Sequence, residues 1–194
     1  KVSETFSHRR TKMNIIVRPY GGEKCYCRPD TTWERENKDF YVPECSESLY
    51  WTPVLFARVN KAGKCIGKKF VSRYYDAIGC GVLLYTGQDI AFASCADHTS
   101  LLPMPLYNPV VLEGEDNALE VCLNGSSIWN EKILSKDKLE DTVCMASALT
   151  SLRIGDFVAV ELAPVQKLVS RDEGNAPLKV SYCGNDLFDL KIIF

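Results

Sequence analysis

Asn124-Gly125 interrupts the stretch ALEVCLNGSSIWNEKI, in which apolar and polar residues alternate on both sides of the pair. A two-residue Asn-Gly loop favours the turn whose twist matches two paired strands, so the stretch predicts a β-hairpin over 118–133. GDFVAVEL, LKVSYC and LFDLKIIF predict three more strands near the end of the chain, the last two hinged at Gly184-Asn185. Upstream, MNIIVRPY, KCYC, FYV, VLFARVN and GVLLYT are short, rich in β-branched and aromatic residues, and bounded by Pro, Gly or Asn. Two segments break this pattern. KKFVSRYYDAIG spaces its large side chains at helical intervals and ends at Gly79, which predicts a helix over 68–79. Ser135 is placed to cap a second helix in which Leu139, Val143, Ala146 and Leu149 recur every three or four residues. The pattern predicts an α+β fold dominated by strands.

With 194 residues, the chain can build one sizeable core. The reading is a single domain over 13–194 behind an N-terminal extension, residues 1–12, that lacks a periodic apolar pattern. A net charge of −2 argues against a general nucleic-acid partner. No apolar run approaches the roughly 20 residues that span a bilayer, and KVSETFSHRRTK is too polar for a signal-peptide core, so the expectation is a cytoplasmic protein with no membrane partner. The nine cysteines are scattered, with only Cys25 and Cys27 as a close pair, and the sole histidines are His8 and His98. That inventory fits reduced thiols packed as small hydrophobes better than a zinc centre.

The chain lacks a Gly-rich phosphate loop, a GxSxG elbow and an HExxH helix. Asp97-His98-Thr99-Ser100 holds the residue types of a hydrolytic triad, but sequence neighbours rarely aim at one another, and a polar turn is the simpler reading. Cys95 near His98 would serve covalent chemistry only with a depressed thiol pKa in an open pocket. Acids near predicted loops include Asp30, Glu47, Asp89, Asp97, Asp156 and Glu161, and spacing does not show which converge. The segment from Ser48 to Tyr75 holds six Lys or Arg and no Asp or Glu. Lys61, Lys64, Lys68 and Lys69 read first as a solvated basic face, and otherwise as a surface for an acidic ligand.

From Met13 onward the order of these pieces resembles the fumarylacetoacetate hydrolase family in its short single-domain form. Asn124-Gly125, Ser151-Leu152 and Gly155-Asp156 fall where that family has a strand, an "NG" hairpin, a helix and a "TL-x-x-GD" segment. NKAGKCIGKKFVSRYYDAIGCGVLLYTGQD resembles its "K-x-GK-I" turn and "D-x-T-A-R-D" strand, VRPY its "GRNY", and CRPDT its "K-P-x-T/S". The resemblance implies a mixed β-sandwich roll with a few short helices, a homodimer, and hydrolase, isomerase or decarboxylase chemistry on acylpyruvates or 2-oxo acids.

It also implies Mg²⁺ or Mn²⁺ held by three carboxylates, two on an "E-x-E" strand and one on the "D-x-T-A-R-D" strand. Here those positions fall on Thr52, Val54 and Leu84, or on Leu83 in the register set from Gly79-Cys80-Gly81. No shift of register restores an acid, because none exists over 48–75 or 77–88. The family's catalytic histidine falls near Glu23 and its arginine on Gln88, while Arg18, Tyr20, Asp89 and Asp97 remain as candidates for residual ligand binding. Leu162-Ala163-Pro164 stands where the family has "GTP". The expectation is a pseudo-enzyme without a metal cofactor that binds a small organic acid or a partner protein. The alternative is an active Mg²⁺ or Mn²⁺ enzyme with a centre rebuilt from Glu23, Glu47, Asp89 or Asp97.

Overall fold

The computed structural model describes residues 13–114, 117–132 and 136–194. The expected N-terminal extension and the Ser135 cap lie outside them. The described chain forms strands β1 (Ile15–Arg18), β2 (Tyr26–Arg28), β3 (Trp33–Glu34), β4 (Phe40–Tyr41), β5 (Ser48–Val59) and β6 (Tyr75–Tyr85), then the short helix α1 (Ile90–Ala93) and β7 (Ser100–Leu101). The expected hairpin follows as β8 (Ala118–Leu123) and β9 (Ser126–Lys132), with Asn124 and Gly125 both at positive φ. Helix α2 (Lys136–Leu149), β10 (Phe157–Glu161), β11 (Gln166–Ser170), β12 (Ala176–Tyr182) and β13 (Asn185–Ile193) complete the fold.

The strands assemble into two sheets. One has the order β2-β1-β10-β5-β6-β7-β3, with β11 also paired to β5; the other has the order β4-β13-β12-β8-β9. Between the sheets, Trp51, Leu55, Cys80, Val82 and Leu84 pack with Val121, Leu178, Val180 and Tyr182. The opposite face of the first sheet has its own cluster, which includes Ile15, Val17, Val54, Phe56, Leu83, Tyr85, Phe157 and Ala159. Helix α2 closes a third cluster through Val143 and Ala146, which pack with Ile16, Val59 and Val158. Because β1, β5, β6 and β10 are covered on both faces, their apolar runs are nearly continuous. Among the described residues, no helix is long and apolar enough to cross a membrane.

The helix expected over 68–79 does not form. Lys68–Arg73 makes a 3-10 helix, and strand β6 begins at Tyr75, reaching Gly79 in the middle of the sheet. The ring of Phe56 lies over Gly79, where an added Cβ would stand 2.3 Å from Phe56 Cζ. Gly79 is therefore needed for close approach across the β5–β6 pair, where Phe56 and Gly79 are direct partners, rather than for ending a helix. The final hairpin turns at Cys183 and Gly184, both at positive φ, one residue earlier than its sequence suggests.

Candidate functional site

Antiparallel partners share a face, so register decides which side chains meet. Thr52 pairs with Leu83, Val54 with Gly81, and Trp51 with Leu84. Thr52, Val54 and Leu83 therefore occupy one face, whereas Leu84 points with Trp51 into the core between the sheets. Of the two registers the sequence allows, Leu83 shares the face of Thr52 and Val54, and Leu84 does not. Thr52, Val54 and Leu83 are all fully buried, and the Thr52 hydroxyl donates to the carbonyl of Ala163 at 2.6 Å. This bond fastens the Leu162-Ala163-Pro164 segment directly onto β5.

One carboxylate does reach this face. Glu161 is the direct partner of Val54 across the β10–β5 pair and is buried. Its Oε1 accepts the Tyr85 hydroxyl at 2.5 Å and the Tyr26 hydroxyl at 3.4 Å, while its Oε2 accepts the Tyr20 backbone N–H at 2.9 Å. The Tyr26 and Tyr85 hydroxyls also lie 2.5 Å apart. Beside them is Arg28, only 1% exposed, with its guanidinium 5.0 Å from the centre of the Tyr85 ring. Arg28 donates to the carbonyls of Leu84 (2.8 Å) and Ser94 (3.1 Å) and to the Thr99 hydroxyl (2.7 Å). Its Nη1 is buried without a hydrogen-bond partner. A permanent cation and a carboxylate thus share one buried network, joined through two tyrosines.

Burial raises the Tyr85 and Tyr26 pKa values well above the ordinary tyrosine value, with the neighbouring tyrosine and Glu161 adding to the rise at Tyr85. Burial lowers that of Arg28, partly offset by Tyr85, Tyr26 and Glu161. A proton held more tightly in the folded chain than in the unfolded one makes stability fall as pH rises past the unfolded value, about 10 for tyrosine. Tyr26 and Tyr85 together are expected to remove about 2–3 kcal/mol of stability between roughly pH 9 and 11. Urea unfolding across that interval, compared with Tyr85→Phe, measures the effect; an equal decline in the variant would assign it elsewhere.

This ligand set does not fit a divalent metal ion. A hard cation takes several oxygen ligands, usually with more than one carboxylate. The face offers one carboxylate, already accepting from two hydroxyls and a backbone N–H, beside a buried guanidinium. Among the described residues, no three His, Cys, Asp or Glu side chains come together as a metal-binding group.

The remaining candidates are dispersed. Arg18 donates through Nε to the Gly22 carbonyl at 2.9 Å and ties the turn after β1. Tyr20 is about half exposed and meets the buried network through its backbone alone. Glu23 is exposed. Gln88 donates to the Tyr50 hydroxyl at 3.1 Å. Asp89 caps α1 by accepting from the Ala91 N–H at 3.1 Å, and Glu47 lies 3.9 Å from Arg171. Asp97 lines a groove along β3. The Cys95 thiol donates to the Ala91 carbonyl, while the His98 ring meets Glu34, so neither partners the other. Lys68 of the basic segment pairs with Asp141 at 2.6 Å. Burial pushes the Cys25 thiol up to about 11, which suits packing rather than metal ligation.

No family model matches the sequence, and no curated protein matches it. Solved structures do. A protein assigned to the fumarylacetoacetate hydrolase family from Yersinia pestis CO92 superposes with a TM-score of 0.76 at 15% identity, covering 94% of this chain and 93% of that one. A fumarylpyruvate hydrolase from Pseudomonas aeruginosa, solved with Mn²⁺ and pyruvate, gives 0.70 at 15% identity over 94% and 88%. A 5-carboxymethyl-2-hydroxymuconate delta-isomerase from Mycobacterium smegmatis gives 0.70 at 13% identity over 94% and 78%. The chain therefore has the fumarylacetoacetate hydrolase fold, a β-dominated α+β architecture of two mixed sheets.

Proposed function

We propose that this chain is a metal-independent representative of the fold, a pseudo-enzyme that binds a small organic acid or a partner protein, working as a homodimer. The observation that carries the reading is the content of one sheet face. Thr52, Val54 and Leu83 fill it with uncharged side chains, and Glu161, its carboxylate, is engaged by Tyr20, Tyr26 and Tyr85. Arg28 supplies nearby a fixed positive charge in a network that needs no exchangeable ion.

Calorimetric titration with Mn²⁺, combined with an acylpyruvate turnover assay, tests this reading. The expected result is no stoichiometric binding at micromolar Mn²⁺ and no turnover above buffer with or without the metal. One equivalent of Mn²⁺ bound together with metal-dependent turnover would instead establish an active enzyme with a rebuilt centre.

A further inference from the structure

At the other end of β10 from Glu161, a groove of ≈ 870 Å³ passes Phe157 and follows the edge strand β3. A second groove, of ≈ 680 Å³, runs towards β4, and Glu34 and His98 border both. Glu34 is buried, yet each of its oxygens is engaged. Oε1 accepts the backbone N–H groups of Arg35 (2.8 Å) and Glu36 (2.6 Å), and Oε2 lies 2.9 Å from His98 Nδ1. A carboxylate only accepts, so the neutral imidazole carries its proton on Nδ1 and leaves Nε2 as an acceptor.

His98 holds this position with φ at +59°, in the left-handed region, while its side chain remains 63% exposed. A non-glycine residue is disfavoured there. Its backbone N–H bonds to the Thr31 carbonyl at 3.2 Å. The fold thus sustains local strain while presenting an oriented, solvent-reachable imidazole, a combination that marks binding and active sites.

The groove wall beside it is aromatic. Trp33 stands edge-on to Phe157 with ring centres 5.1 Å apart, and Met13 and Met104 add flexible, polarizable surface. The Trp33 indole N–H is committed to the Leu102 carbonyl at 2.8 Å, which leaves that wall apolar towards a guest. Lys38 and Arg58 on the rim are ion-paired to Glu36 and Asp76. The Arg35 guanidinium lies 5.1 Å from the centre of the Trp33 ring, and the carboxylates of Asp30 and Asp97 also line the groove. Apolar surface beside several acceptors favours a neutral hydrogen-bond donor with an aromatic body over an anion.

We propose that this groove is a binding site for a hydroxylated aromatic molecule, a phenol, whose O–H donates to His98 Nε2 while its ring rests against Trp33. This site is separate from the sheet face discussed above, and its test does not depend on metal binding or turnover there.

The probes are 4-methylphenol and its methyl ether, 4-methylanisole, titrated at pH 8. Binding is followed by the His98 ring proton resonances and by Trp33 fluorescence. The phenol is expected to bind about five- to tenfold more tightly than the ether, the size of one net hydrogen bond. His98→Asn removes the imidazole but tolerates the left-handed backbone. It is expected to reduce the preference to within about twofold, with affinity for the ether unchanged.

Glu34→Gln provides a second readout. Its amide oxygen must serve the Arg35 and Glu36 N–H groups, so its NH₂ meets Nδ1 and the imidazole proton moves to Nε2. The ring then donates, the ether gains an interaction, and the phenol preference disappears. Equal binding of both probes by the unsubstituted protein, no binding of either up to the solubility limit, or an undiminished preference in His98→Asn would overturn the proposal. Should Glu34→Gln fail to fold, His98→Asn decides alone.

Discussion

Arg28→Met is expected to lower the free energy of unfolding by about 3–5 kcal/mol, read from the urea midpoint at constant slope. Met fills much of the vacated volume, so the loss measures the polar network more than the packing. Removing the guanidinium leaves the Leu84 and Ser94 carbonyls without that donor in a buried setting. It also removes the buried positive charge beside Tyr85, Tyr26 and Glu161, and taking one charged member out of a buried polar network is costly when the rest stays buried. Glu161→Gln removes the opposite charge. The double variant is expected to be more stable than the sum of the two losses predicts, because the second substitution relieves the imbalance left by the first. A loss below about 1 kcal/mol for Arg28→Met would mean that solvent already reaches the guanidinium and that the network is peripheral.

Much of this fold was legible because its signals are local. Asn124-Gly125 specifies its own turn, and the alternation on either side specifies the strands. The segment over 68–79 misled because Phe70, Tyr74 and Ile78 also satisfy a helical spacing, while the sheet outcome depends on Phe56 settling over Gly79, a contact 23 residues away in sequence. Leu83 and Leu84 show the same limitation at the site. They differ by one residue, and in a strand one residue exchanges the faces, so only the pairing with Thr52 and Trp51 separates them.

The absence of acids over 48–75 was visible without coordinates, but the buried network on this face was not. Arg28, Tyr85 and Glu161 come from three separate strands, and no short-range pattern links them. One signal did exist. Glu161 closes the apolar run FVAVE, and a carboxylate at the end of a doubly covered strand needs a buried partner. Arg28 gave no such hint, since CRPDT reads as a turn after a short strand.

Val54→Glu places a carboxylate on this buried face, and the protein is expected to lose about 3–5 kcal/mol or more at pH 8. The site is fully buried, with Glu161 as the direct partner on β10 and Gly81 on β6. Desolvation raises the new carboxyl's pKa, so the folded variant holds a proton that the unfolded chain releases near pH 4.3. Its stability therefore declines as pH rises from about 5 towards the raised folded value, and the deficit relative to the unsubstituted protein is smallest in acid. Val54→Gln, which carries no charge, is expected to show a pH-independent deficit. Mn²⁺ tests whether the added carboxylate makes a metal site. Beside the Arg28 guanidinium, with Thr52 and Leu83 unchanged, a second carboxylate still leaves too few anionic oxygens to hold the ion, so millimolar Mn²⁺ should not move the unfolding midpoint of Val54→Glu. Recovery of more than about 1 kcal/mol on adding Mn²⁺ would show that the ligand geometry persists and that this face lacks only its charge.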